Sequence, residues 1–421
     1  MADNGQARET AERIARRHYG KLVAFLAART GDVAGAEDAL SDAFAAALLD
    51  WPKSGVPQIP EAWLLTAARR RIIDMNRRKA TGEKGASHLE LIARELRALE
   101  INADRTQIPD ERLRLMFACA HPAIDPAIRA PLILQTVLGF DAVAIGSAFL
   151  ISPAAMGKRL VRAKSKIGQA RIPFRIPERT EMHERLDSVL EAIYAVFAEG
   201  WSEPTGTDVR RREWTEEGIW LGRLVISLLP DEPEALGLLA LMLYAESRRR
   251  ARRSPDGRYV PLQEQDTALW DEALIDEAET LLRKASAIQM TGRYQLEAAL
   301  QSAHVVRRKT GRADWAAIER IYDALFAVTG SPVVAVNRAV ALAQTRGAAA
   351  WLKALDALAK EEKLADYQPY WAARADLFAQ LGNISAAGEA YCRAIGLERD
   401  SAVRAFLQEQ QAALSVLAKK T

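Results

Sequence analysis

An all-α protein is predicted, on three observations. Apolar residues recur at three- and four-residue spacing along almost the whole chain, Ala and Leu dominate, and no sustained two-residue alternation bounded by hairpin turns is visible. With 421 residues, the chain exceeds what one compact core usually organises, so a lone small module is excluded. Its 49% hydrophobic and 27% charged residues form a globular balance in which disorder cannot dominate.

Four helices are predicted in the first hundred residues, at about 7–28, 33–49, 61–79 and 89–99. The stretch from Trp51 to Pro60 is predicted to be a loop, because Pro52, Pro57 and Pro60 remove donors and restrict the residues before them. A second break covers Thr81-Gly82-Glu83-Lys84-Gly85, at the basic end of the third helix. A further helical unit fills 111–171 and ends at Pro173 and Pro177. Within it Asp141 can cap a short helix through Phe149, Leu150 and Ile151 turn, and Ser152 caps a second helix that starts at Pro153, where no backbone donor is needed. That second helix carries Lys158, Arg159, Arg162, Lys164 and Lys166, with Met156, Leu160, Val161 and Ile167 able to pack inward. A DNA-reading helix and a solvated basic helix on an ordinary bundle both fit this pattern.

Charge divides unevenly along the chain. Residues 1–172 hold 26 Lys+Arg against 19 Asp+Glu, net +7, whereas the remainder holds 32 against 36, net −4. A basic head on a mildly acidic tail suits a polyanion-binding module joined to a protein-facing one. In the tail, the basic run from Arg248 to Arg253 meets Pro255 and Gly257 and reads as a solvated loop. Near the carboxyl end Trp371, Ala375 and Phe378 precede Leu381-Gly382-Asn383, and Ala387, Tyr391 and Ala394 follow. This is the large-against-small pattern of a tetratricopeptide-type hairpin, with Gly347 as an earlier counterpart of Gly382.

Chemistry of bond-making finds no foothold. The five histidines form no motif, Cys119 and His121 lack a second ligand pair at metal spacing, and the phosphate-cradling and nucleophile-elbow patterns are absent. No enzyme activity, metal or cofactor is expected. Two distant cysteines, Cys119 and Cys392, exclude a disulfide framework and fit a reducing cytoplasm. The start MADNGQARET has no basic-then-apolar leader, and no run of about 18 apolar residues follows, so neither secretion nor a membrane is expected.

The third helix places Leu64, Leu65, Ala68, Ile72 and Met75 on an inward stripe and leaves a cationic face and end. Its Arg and Lys side chains can neutralise phosphates, Asn76 can hydrogen-bond a base edge, and Trp63 can stack on an unpaired base. A core tryptophan beside a solubility face is the alternative.

These blocks together resemble an RNA polymerase sigma factor of the extracytoplasmic-function type. The segment from Ala36 to Phe44 and the helix from Ala62 to Lys79 resemble sigma region 2, and the paired helices at 141–167 resemble region 4. The stretch DERLRLMFACAHPAI and the long helical tail are similar to the subgroup with a large extension after region 4. The resemblance implies region 2 at 1–80, a linker at 81–110, region 4 at 111–172 and a tetratricopeptide-like extension at 178–421. It implies that Asp38, Asp42 and Phe44 dock on core RNA polymerase. It implies that Trp63, Arg69, Arg70, Asn76, Arg77 and Arg78 read the minus-ten element of promoter DNA, and that Ser152, Met156, Lys158, Arg159 and Arg162 read the minus-thirty-five element. Ala155 and Gly157 stand where longer polar side chains would reach bases. The expected function is promoter selection and duplex opening by a cytoplasmic initiation factor, with an extension that regulates the head, by packing against it or by receiving a protein signal, or chiefly stabilises it. The rival is a regulator that binds duplex DNA without polymerase.

Overall fold

The computed structural model describes residues 2–79, 108–149, 151–172, 174–175, 177–201, 209–358, 361 and 364–418. Among these residues there is no strand beyond one isolated bridge between Arg253 and Tyr259. The all-α expectation holds. The predicted helix at 89–99 and most of the predicted linker lie outside the described residues.

By contacts the chain divides into two compact units, residues 1–196 and 197–421. In the first, α1 (Ala2–Thr30), α2 (Val33–Ser54) and α3 (Pro60–Lys79) pack on one another. Their shared core holds Val23, Leu26, Leu40, Trp51, Leu64 and Ala68, all fully buried. Asp32 starts α2 by accepting a hydrogen bond from the Gly35 N–H at 2.9 Å.

The expected break at Trp51 is corrected: α2 runs on through Pro52 to Ser54. Pro52 sits in the final turn, so only one helical bond is lost, and it is the one to the carbonyl of Leu48, a residue exposed to water. Burial of Trp51, whose ring meets Trp63 edge-on at 5.6 Å, holds the turn in place. Gly55, at φ 83°, then closes the helix by donating to the Trp51 carbonyl. The loop between α2 and α3 is therefore confined to 55–59.

The same unit continues with α4 (Ile108–Cys119), α5 (Pro126–Thr136), α6 (Ala142–Ala148), α7 (Pro153–Gln169) and the start of α8 (Arg179–Trp201). Helix α1 packs on α4 and α5, and α2 packs on α7. Buried Arg129 ties this part together, donating to the carbonyls of Ile124 at 2.9 Å, Glu184 at 3.1 Å and Pro122 at 3.2 Å. Cys119 is buried beside Thr136, with its thiol pushed up to about 12 chiefly by burial, so it is inert.

The second unit contains α9 (Val209–Leu228), α10 (Pro233–Ser247), α11 (Glu272–Ala287), α12 (Arg293–Val305), the single turn α13 (Arg307–Thr310) and α14 (Trp315–Thr329). It ends with α15 (Pro332–Arg346), α16 (Ala348–Ala357), α17 (Gln368–Gln380), α18 (Ile384–Leu397) and α19 (Ser401–Ala418). Residues Ala235 to Ala245 of α10 are all buried. A helix without a polar face must be central, and α9, α11 and α12 surround it. From α14 onward, successive helices pack mainly on their chain neighbours. The turn at Leu381-Gly382-Asn383 lies between α17 and α18, with Gly382 at φ 74° and Asn383 capping α18. Ala375, Ala387, Tyr391 and Ala394 are buried there together, covered by Leu407 and Leu414 of α19.

The arginine run after α10 is a further correction. Only Arg250 of the run and the turn at 255–258 are exposed as expected. Arg248 donates to Gln301 and to the Tyr244 carbonyl, Arg249 to Glu246 and Thr215, Arg252 to the Trp201 carbonyl, and Arg253 to Asp400. The Arg252 guanidinium also lies 4.1 Å above the Trp201 ring. Four arginines thus turn inward as a structural hub, which a run of like charges in the sequence conceals.

Candidate nucleic-acid interface

The outer face of α2 carries the acidic residues Glu37, Asp38 and Asp42, which occupy neighbouring positions at i, i+1 and i+5. The structure gives them three different settings. Asp38 is exposed. Asp42, also exposed, accepts a hydrogen bond from Arg71 Nε of α3 at 2.6 Å. Glu37 is held below the surface by Lys164 of α7, Nζ to Oε2 at 2.5 Å, with side chains only 15% and 11% exposed respectively. Burial raises the Glu37 carboxyl above its usual range, and Lys164 opposes that shift. Tyr19 of α1 is pushed up to about 12, first by its own burial and then by Glu37. Phe44 is half-buried, its ring stacked on Tyr19 at 6.3 Å.

Because Asp42 and Arg71 are each about half exposed, water screens their pair, and its stabilisation is small. Replacing Arg71 with alanine is expected to cost under about 1 kcal/mol in urea unfolding. The same change frees Asp42.

On α3 the predicted cationic face is split. Arg70 and Arg71 are exposed. Arg69 is corrected to an interior residue, 9% exposed, because it lies on the same side as Leu65 and Ile72 at i−4 and i+3. It cannot reach a ligand outside the bundle in this arrangement. Trp63 is half-buried against Trp51, and its backbone N–H donates to the carbonyl of exposed Ile59. Asn76, Arg77 and Arg78 continue α3, but their side chains lie outside the described residues.

Helices α6 and α7 meet through a tight turn in which the Ile151 N–H donates to the Gly146 carbonyl at 2.8 Å. A Cβ on Gly146 would lie 2.6 Å from the Ile151 carbonyl oxygen, so only glycine fits. Asp141 and Ser152 cap the two helices as expected, accepting from the N–H groups of Ala144 and Ala155. Ser152, Lys158, Arg159, Arg162 and Lys166 are exposed along one side of α7. Met156 is fully buried with Leu160, Ala163 and Ile167, as its helical spacing predicts, which corrects the reading-face role implied by the resemblance. Val161, expected inside, is 64% exposed among the cations, and Ala163 takes the inward place.

Sequence reasoning missed two members of this surface. Arg71 stood in the run RRR with nothing to single it out, and Val161 was assigned to the wrong side of a helix by one position. Among the described residues no group of three or more His, Cys, Asp or Glu could hold a metal, and no helix is long and apolar enough to cross a membrane.

Residues 14–81, from within α1 to just past α3, match the sigma-70 region 2 family. Residues 185–286 match a family of unknown function, DUF6596. A protein of Rhizobium meliloti (strain 1021), described only as uncharacterised, is 37% identical over 379 residues, 89% of each chain. No solved structure matches. With that likeness along nearly the full length of both chains, and with region 2 matched on the helices just described, the chain belongs to the same family as the Rhizobium meliloti protein and is a sigma-70-family protein whose helical C-terminal part carries a domain of unknown function.

Proposed function

We propose that this protein is an initiation factor of the extracytoplasmic-function type, which binds core RNA polymerase, directs it to particular promoters and helps to open the duplex. The observation that carries the reading is the region 2 match on α1–α3 together with a separate helix, α7, that presents Lys158, Arg159, Arg162 and Lys166 on one open side. Asp38 and Asp42 on α2, beside Phe44, are proposed as the polymerase-docking surface. Trp63, Arg70, Asn76, Arg77 and Arg78 are proposed to handle the minus-ten element. Arg and Lys there neutralise phosphates, and the half-buried ring of Trp63 suits an unstacked base.

On α7, Ser152 and the exposed cations are proposed to meet the minus-thirty-five element in the major groove, as the second helix of a helix-turn-helix. Val161 adds an apolar contact of the kind that reads a thymine methyl. The residues at 197–421 would form a tetratricopeptide-like, protein-facing or regulatory module.

Transcription reconstituted with purified core polymerase tests the reading: the protein is expected to co-purify with the core and confer start-site selection. Binding of duplex DNA with no effect on polymerase would instead favour a free-standing regulator. Replacing both Arg77 and Arg78 with alanine is expected to reduce the salt slope of promoter binding by about 2, near 0.9 per lost phosphate contact. An unchanged slope would remove these residues from the interface.

A further inference from the structure

A cavity of about 310 Å³ opens in the second unit, between the turn at 262–270, the end of α12, α13 and the start of α14. That volume is at the lower end of small-molecule sites. Its chemistry is carried by Trp270, His304, Arg307, Arg312 and Trp315. Two features of this wall point the same way.

The first is charge. Two arginines line the cavity and no carboxylate does. Arg307 is fixed by donating to the carbonyls of Leu262 at 2.8 Å and Gln265 at 2.7 Å, so its positive charge has positioning partners but no neutralising one. Arg312 is exposed at the rim, and its guanidinium has no hydrogen bond or ion pair among the described residues. An uncompensated pair of guanidiniums in a concave site favours an anion, which they can hold through charge-assisted hydrogen bonds.

The second is aromatic surface. Trp315 meets the His304 ring edge-on at 5.9 Å, and Arg307 covers Trp270 at 5.4 Å. His304 is held down to about 4, first by burial and then by Arg248 and Arg307, so it stands in the wall as a neutral ring.

We propose that this cavity binds a small planar aromatic acid, with its ring against Trp315 and His304 and its carboxylate or phosphate on Arg307 and Arg312. The site lies wholly within the second unit, and it stands whether or not the chain acts with polymerase. It would make the C-terminal unit a receptor for a small molecule.

Titration calorimetry on the full-length protein tests this, using benzoate, indole-3-carboxylate and phenyl phosphate as probes, with benzylamine, benzamide and inorganic phosphate as controls. At least one aromatic acid is expected to saturate a single site with a matching rise in Tm, and to bind at least about tenfold more tightly than all three controls. Which acid binds best separates a carboxylate from a phosphate ligand. Arg312→Gln is expected to weaken that acid about tenfold while leaving the Tm of the free protein unchanged, since Arg312 is exposed and its guanidinium has no hydrogen bond or ion pair among the described residues to lose. The proposal is overturned if no aromatic acid saturates at millimolar concentration, or if benzylamine or benzamide binds equally well. It is overturned too if inorganic phosphate matches phenyl phosphate, or if Arg312→Gln titrates like the wild type.

Discussion

Gly20→Ala is expected to destabilise the first unit by about 3 kcal/mol, near the upper end of overpacking costs. A Cβ at this position would lie 1.6 Å from the carbonyl oxygen of Val137 and 2.4 Å from its carbonyl carbon. The obstacle is backbone, which cannot swing aside as a side chain could. Helix α1 must therefore retreat from the end of α5, and the contacts of both helices loosen together. Gly157→Ala provides the comparison. Nothing lies within 4 Å of a Cβ there, and α7 gains a better helix former, so a stabilisation of up to about 1 kcal/mol is expected. Urea unfolding reads both signs, and hydrogen exchange should show α1 and α5 losing protection together in Gly20→Ala alone. Equal effects from the two substitutions would mean that α1 does not rest on Val137.

Lys164→Met is expected to cost about 3 kcal/mol at pH 7, because it leaves the Glu37 carboxylate charged, largely buried and without its cation. The double variant Glu37→Met with Lys164→Met should regain most of that loss, since an apolar pair of similar size removes both charges. The deficit of the single variant also depends on pH. Burial already raises the Glu37 carboxyl, and removing Lys164 takes away the largest opposing influence, so it rises further. The folded state then binds a proton that the unfolded chain still lacks, and stability increases as pH falls through the folded value toward the unfolded one. The deficit should accordingly shrink between neutral pH and about 4.5, the ordinary carboxyl value. Carboxyl carbon NMR of Glu37 checks the upward movement directly. A pH-independent deficit would show that lost packing, not a stranded charge, is responsible.

Local signals in the sequence were enough for much of this molecule. Capping residues placed the starts of α6 and α7, because an Asp or Ser side chain and the N–H it satisfies lie within three residues. The Leu381-Gly382-Asn383 turn was equally legible. What failed depended on distant partners. Pro52 stays helical because Trp51 is held by Trp63. The arginines after α10 are drawn inward by Trp201, Thr215, Gln301 and Asp400, none of them close in sequence. Along the proposed interface, Met156 and Arg69 were chosen by residue type and family likeness, while helical phase turns both inward. The Glu37–Lys164 pair joins positions 127 apart, beyond the reach of any spacing argument.

That pair has a consequence for promoter engagement under the proposed function. Glu37 lies on the helix proposed to meet polymerase, and Lys164 on the helix proposed to meet the upstream element. Sites about 25 base pairs apart are separated by about 85 Å of duplex, at 3.4 Å per step. Two elements that pack on one another and share a largely buried ion pair cannot bridge such a distance, so the front of the chain must unlatch before it can straddle a promoter. Free in solution it would grip DNA weakly, and the transcription machine would act as the key that prises it apart.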